Sequence, residues 1–215
     1  MIKNKEKPFI LVLEGNEASG KSTIAIKILN ELQSKGTDVI YTREPGGVLV
    51  AEKIRNLILE DQEDGSTMEA ETEVYLFAAA RSEHIKKKII PALEKGTSVI
   101  MDRYFYSSLA YQGVARGLGF NKVFNINHLV IKEAYPDLTL YLRVDPKERS
   151  KRLRERGLEN RLDKESSMFL NKVDFGYRVC KRKFPEFIEI DANGSIDEVT
   201  RNCLEKMIES NIIWK

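Results

Sequence analysis

An apolar run from Phe9 to Leu13 breaks into Gly15, Asn16, Glu17, Ala18, Ser19, Gly20, Lys21 and Ser22, and the chain then resumes with Ile24, Ile28 and Leu32 at helical spacing. Glycine, four residues, glycine, lysine and a hydroxyl residue is the Walker A pattern. Its glycines let backbone N–H groups turn inward onto phosphate oxygens, its lysine reaches the outer phosphates, and its hydroxyl can ligate magnesium. The flanking run and periodicity supply the strand, loop and helix that this mechanism requires. Residues Gly15 to Ser22 and the following Thr23 are therefore the candidate cradle for ATP.

The rest of the chain repeats the alternation. Apolar runs bounded by turn residues recur at Val39 to Tyr41, Ser98 to Met101, Leu138 to Val144 and Phe187 to Ile190. Between them lie helical spacings such as Val74, Phe77, Ala78 and Ile85, then Ile126, Leu129, Val130 and Ala134. Strands alternating with helices predict an α/β protein of the P-loop NTPase fold, with a five-stranded parallel sheet covered by helices on both faces. Such sheets bind ligands beyond the carboxyl ends of their strands. One domain, residues 1–215, accommodates all of this.

Composition removes several classes. With 42% hydrophobic and 32% charged residues the chain reads as globular, and a net charge of +2 is too small for a protein that grips nucleic acid through its backbone. Cys180 and Cys203 fit no metal spacing or disulfide framework, which suits a reducing compartment. The run Phe9 to Leu13 is too short for a signal-peptide core or a membrane span, so the expectation is a cytoplasmic protein without membrane partners. Lys86, Lys87 and Lys88 read as a solvated helix face. The arginine-rich stretch Glu148 to Arg161, after the fourth strand, reads as a lid over phosphates, about residues 149–163.

The strand ending at Met101 is followed by Asp102, a Walker B-like carboxylate that could hold magnesium together with Ser22. The segment Asn171 to Asp174 matches a guanine-reading motif, but it lies in a polar helical stretch rather than after a strand, and Arg103 to Phe105 lack a switch glycine. A GTPase is thereby excluded. A motor ATPase would need a partner-binding appendage. The chain instead carries cations, aromatics and hydroxyls at several strand ends, an inventory for a second small substrate.

Four further segments carry a resemblance: Thr42 to Gly47, Leu76 to Arg81, Asp102 to Gln112, and Asn160 to Asp163. Together with the cradle, and in order from Phe9 to about Tyr177, they resemble the thymidylate kinase family. The resemblance implies transfer of the γ-phosphoryl of ATP to dTMP, with Mg2+ and in a homodimer. It implies that Arg103 grips the acceptor phosphate, joined by Arg43 and Arg55, and that thymine stacks on Phe77 and meets Arg81, one helical turn on. Ser108 and Gln112 complete the base contacts, with Glu44 and Ser107 nearby. Tyr111 crowds the sugar 2′-position, and Glu17 approaches its 3′-hydroxyl. Family members carry the arginine for the transferring group in the cradle or in the lid; Ala18 fills the cradle position here, so the lid arginines Arg154, Arg156 and Arg161 are the candidates alongside Lys21, with Arg156 favoured and Arg161 as helper. Ala18 in place of glycine and Asn160 in place of an acid are departures from the pattern. His84 and His128 match no role and read as structural. The adenine contacts are open, with Asp191 to Gly194 a candidate loop. The alternatives are a kinase for another nucleoside monophosphate or a deoxynucleoside, and a nucleotide-binding regulatory module without catalysis.

Overall fold

The computed structural model describes residues 7–60, 67–156 and 165–213. Five parallel strands form one sheet in the order β2-β3-β1-β4-β5: β1 is Ile10–Glu14, β2 Val39–Arg43, β3 Ser98–Asp102, β4 Leu138–Arg143 and β5 Phe187–Asp191. The helices are α1 (Lys21–Ser34), α2 (Leu49–Leu59), α3 (Ala70–His84), α4 (Ile90–Glu94), α5 (Phe105–Ser108), α6 (Phe120–Ile131), α7 (Pro146–Arg156), α8 (Ser167–Lys183) and α9 (Ile196–Glu209). Wide π-helical turns, Ile85–Ile89 and Leu109–Ala115, continue α3 and α5. Among the described residues no helix is long and apolar enough to cross a membrane.

The sheet explains why β1 reads as an unbroken apolar run. All five of its residues are buried, because successive side chains of a strand point to opposite faces and both faces are covered. Ile10 and Val12 join Val99, Met101, Phe105 and Tyr177 on the side of α5, α6 and α8. Leu11 and Leu13 join Ile24, Ile28, Leu140 and Val199 on the side of α1 and α9. The edge strands β2 and β5 are only half buried.

The helical spacing around residue 129 gives the helix but not its buried face. α6 buries Val123, Asn127 and Ile131, and Leu129 is 76% exposed. Asn127 faces inward because a buried arginine of α3 needs an acceptor there. The guanine-like Asn171 to Asp174 lies inside α8, as its polar context indicates.

Candidate active site

The strands deliver their last residues to one end of the sheet, where a cavity of about 370 Å³ opens between the cradle and the segments following β2 and β3. Of the expected site residues, Glu17, Ala18, Gly20 to Thr23, Arg43, Glu44 and Arg55 line it. So do Phe77, Arg81, Asp102, Arg103, Ser107, Ser108, Tyr111 and Gln112. Gly15, Asn16 and Ser19 form the outer turn of the loop, closed by the Ser19 N–H on the Asn16 carbonyl. A second cavity, of about 280 Å³, shares Ala18, Gly20 and Thr23 with the first and runs on to Arg152, Ala192, Gly194 and Val199.

The loop needs its first glycine. Gly15 has φ +152, and a Cβ there would lie 2.7 Å from the Leu142 carbonyl oxygen. Lys21 folds back on the loop, donating to the Asn16 carbonyl at 2.8 Å and to Ser19 Oγ at 3.3 Å. Its burial, reinforced by the Arg103 charge, pulls its ammonium down to about 8. At the foot of α1 the Ser22 hydroxyl donates to Asp102 Oδ2 at 2.5 Å, and the Tyr41 hydroxyl does so at 3.3 Å.

Arg103 stands where the two halves meet. Its Nη1 donates to the Gly15 carbonyl at 3.0 Å and to the Ser107 hydroxyl at 3.2 Å, and its Nη2 pairs with Glu17. Burial loosens its proton, but the Glu17 carboxylate, with smaller help from Tyr111, Tyr177 and Glu14, more than offsets this and holds it charged more firmly than an ordinary arginine. Arg43 and Arg55 face the same cavity. Arg43 Nη2 reaches both oxygens of Glu52, at 3.1 and 3.0 Å, and Arg55 Nη1 donates to the Pro45 carbonyl at 3.0 Å. Burial first, then Arg43, lowers the affinity of Arg55 for its proton.

On α3, Phe77 and Arg81 share one face, one turn apart. Arg81 is fully buried: Nε donates to Glu44 Oε2 at 2.7 Å, and Nη1 to Ser108 Oγ at 3.3 Å and to Asn127 Oδ1. Gln112 Nε2 donates to Glu73 Oε1 at 2.7 Å. His84 is buried between Thr42 Oγ1 at 2.7 Å and Glu44 Oε1 at 3.1 Å. Exposed His128 stacks on Phe124. Glu14, Glu73, Asn127 and Tyr177 escape the sequence reading, since no motif marks a lone buried polar residue in a strand or helix. Of the lid, Arg156 ends α7 but its side chain lies outside the described residues, as does Arg161.

A family model for thymidylate kinase matches residues 13–203. The chain belongs to the thymidylate kinase family. This family phosphorylates dTMP to dTDP with ATP as donor. Relatives named thymidylate kinase from Oceanobacillus iheyensis and Halalkalibacterium halodurans are each 44% identical, over 91% and 94% of this chain and 87% and 96% of their own lengths. One from Staphylococcus epidermidis is 44% identical over 93% of this chain and 97% of its own. The crystal structure of thymidylate kinase from Ehrlichia chaffeensis superposes with a TM-score of 0.75 at 28% identity, covering 94% of this chain and 99% of that one. The thymidylate kinase fold, like this one, places its parallel sheet beneath a P-loop.

Proposed function

We propose that the larger cavity is the acceptor site of a one-domain dTMP kinase spanning residues 1–215, with dTMP held by its phosphate on Arg103, Arg43 and Arg55. The observation that carries this reading is the convergence of three guanidinium groups with Lys21 on one cavity. Cations gathered on one cavity repel one another, and Lys21, Arg55 and Arg103 lose hydration on burial, an arrangement that stores affinity for a polyanion. In the same reading thymine lies against Phe77 and meets Arg81, Ser108 and Gln112, the sugar meets Tyr111 and Glu17, and Glu44 and Ser107 hold the arginines. The ATP phosphates occupy Gly15 to Thr23, and the adenine enters the second cavity beside Arg152 and Ala192, next to the candidate loop Asp191 to Gly194.

The chemistry asks for no general base. A phosphate monoester has its second pKa near ~6, so the acceptor oxygen is already anionic at neutral pH. The barrier is repulsion between two anions, which Lys21 and the arginines offset by charge and position. Ser22 and Asp102 offer an all-oxygen donor pair at the mouth of the cradle, and Mg2+ is typically held by one or two such groups plus substrate phosphates. That ion would neutralise charge on the outer phosphates when bound. Arg156, with Arg161, supplies the remaining cation: Arg156→Ala is expected to lower turnover far more than it weakens dTMP binding.

Further support exists for a homodimer. Tyr75 on α3, Leu57 on α2 and Leu129 on α6 are large apolar side chains left exposed on three helices packed in a row. Soluble, cytoplasmic residence fits the buried free thiols of Cys180 and Cys203. The test of the whole reading is ADP release from ATP with dTMP, dCMP or thymidine as acceptor. dTMP should be fastest by at least about tenfold, and a faster reaction with thymidine or dCMP sinks the acceptor assignment.

A further inference from the structure

Behind Arg103 lies a carboxylate that lines neither cavity itself but bonds residues that line the acceptor pocket. Glu14 is the last residue of β1 and is fully buried. An isolated carboxylate is costly to bury, and burial pushes its pKa up against the opposing pull of Arg103. Four donors surround it. Oε1 accepts from the backbone N–H of Tyr104 at 2.8 Å and of Ser107 at 3.1 Å. Oε2 accepts from the Ser107 hydroxyl at 2.7 Å and the Tyr177 hydroxyl at 3.1 Å.

Both hydroxyls also accept from Arg103 Nη1, at 3.2 Å from Ser107 and 3.4 Å from Tyr177. A hydroxyl has one proton and two lone pairs. The two hydroxyls also lie 3.1 Å apart, but the carboxylate is the stronger acceptor, so each gives its proton to Glu14 and turns lone pairs toward the guanidinium. The other end of Arg103 is held as well. Its backbone is left-handed, with φ 69, a strained conformation outside glycine. The next N–H, that of Tyr104, is the one anchored on Glu14 Oε1.

We propose that Glu14 is a positioning residue that aims Arg103 at the acceptor phosphate, setting the polarity of the two intervening hydroxyls and pinning the strained backbone between Arg103 and Tyr104. The inference rests on the reading that Arg103 grips that phosphate. An amide cannot replace the carboxylate. Whichever way the amide of a Glu14→Gln variant turned, its NH2 would face either the two N–H groups or the two hydroxyls, and the hydroxyls could then direct protons at Arg103.

The experiment is calorimetric binding of dTMP and of thymidine, which lacks the phosphate, to the wild type and to Glu14→Gln, Ser107→Ala and Arg103→Ala. Loss of one charge-assisted hydrogen bond predicts dTMP affinity lower by about tenfold in Glu14→Gln and in Ser107→Ala, with thymidine affinity unchanged. Should Glu14→Gln not fold, Ser107→Ala and Tyr177→Phe decide the same question. Unchanged dTMP affinity in these variants, with Arg103→Ala impaired, overturns the role of Glu14 alone. Thymidine affinity falling in parallel with dTMP overturns it in favour of general structural damage. If Arg103→Ala leaves the dTMP-to-thymidine ratio intact, the phosphate reading fails and the inference falls with it.

Discussion

Arg81 and Glu44 form an ion pair sealed from solvent, Nε to Oε2 at 2.7 Å, with side chains 1% and 3% exposed. They come from different elements, α3 and the turn after β2. His84 Nδ1 approaches the second oxygen of the same carboxylate, and Thr42 fixes the far side of the ring. The wall behind the proposed thymine site is thus a chain of paired polar groups rather than apolar packing.

Removing one member of a buried pair strands the other charge, typically at a cost of about 3–5 kcal/mol. Arg81 keeps Ser108 and Asn127 as partners, so the low end applies. Glu44→Ala should therefore unfold about 10 °C below the wild type in a thermal melt. A shift of under about 2 °C would mean that the pair is solvated in solution.

Lys21 titrates well below an ordinary lysine. Burial, then Arg103, lowers it to about 8, so the charged fraction in the free protein falls as pH rises through that value. The polyphosphate selects the charged form and holds its proton once bound. Accordingly kcat/KM for ATP should decline about tenfold per unit above pH ~8, while kcat at saturating ATP stays level. Lys21→Arg should abolish the inflection, because a guanidinium keeps its proton throughout. The check is a pair of pH profiles, and a kcat that falls with the same midpoint would contradict the assignment.

Tyr111 presents a ring and a hydroxyl that can be separated by mutation. The ring lies 5.6 Å from the Arg103 guanidinium carbon, and the hydroxyl is buried without a hydrogen-bond partner among the described residues. If the ring excludes a 2′-hydroxyl, Tyr111→Phe should keep the preference for dTMP over ribothymidine monophosphate, and Tyr111→Ala should reduce it about tenfold. Ratios of kcat/KM measure both. Equal loss in the two variants would move the discrimination to the hydroxyl.

What is local in the chain is legible in the sequence. The cradle, Asp102 and the Phe77–Arg81 pair each lie within one strand end or helical turn, so motif and geometry coincide. What escapes is held across the chain. Glu14 meets Tyr177 over a separation of 163 residues, and Arg81 meets Asn127 over 46. Such partners leave no spacing to read, and Glu14 passes for a strand's solvent-side end. The buried face of α6 is hidden for the same reason. Leu129 satisfies helical periodicity, yet the interior position goes to an asparagine demanded by an arginine on another helix.

Ala18 isolates one physical effect in the cradle. Its φ of 58 is left-handed, which costs an alanine roughly 1 kcal/mol or more relative to glycine, and its methyl group lines both cavities. Glycine there relieves the strain but adds chain entropy to the unfolded state, returning about half of the gain. Ala18→Gly should therefore raise the melting temperature by about 2 °C. It neither adds nor removes a cation, so turnover should remain within about twofold of the wild type. Scanning calorimetry and an ADP-release assay on the same preparation test both halves. A lowered melting temperature would show that the alanine conformation is not strained, and a large rise in turnover would show that the methyl group had been obstructing the phosphates.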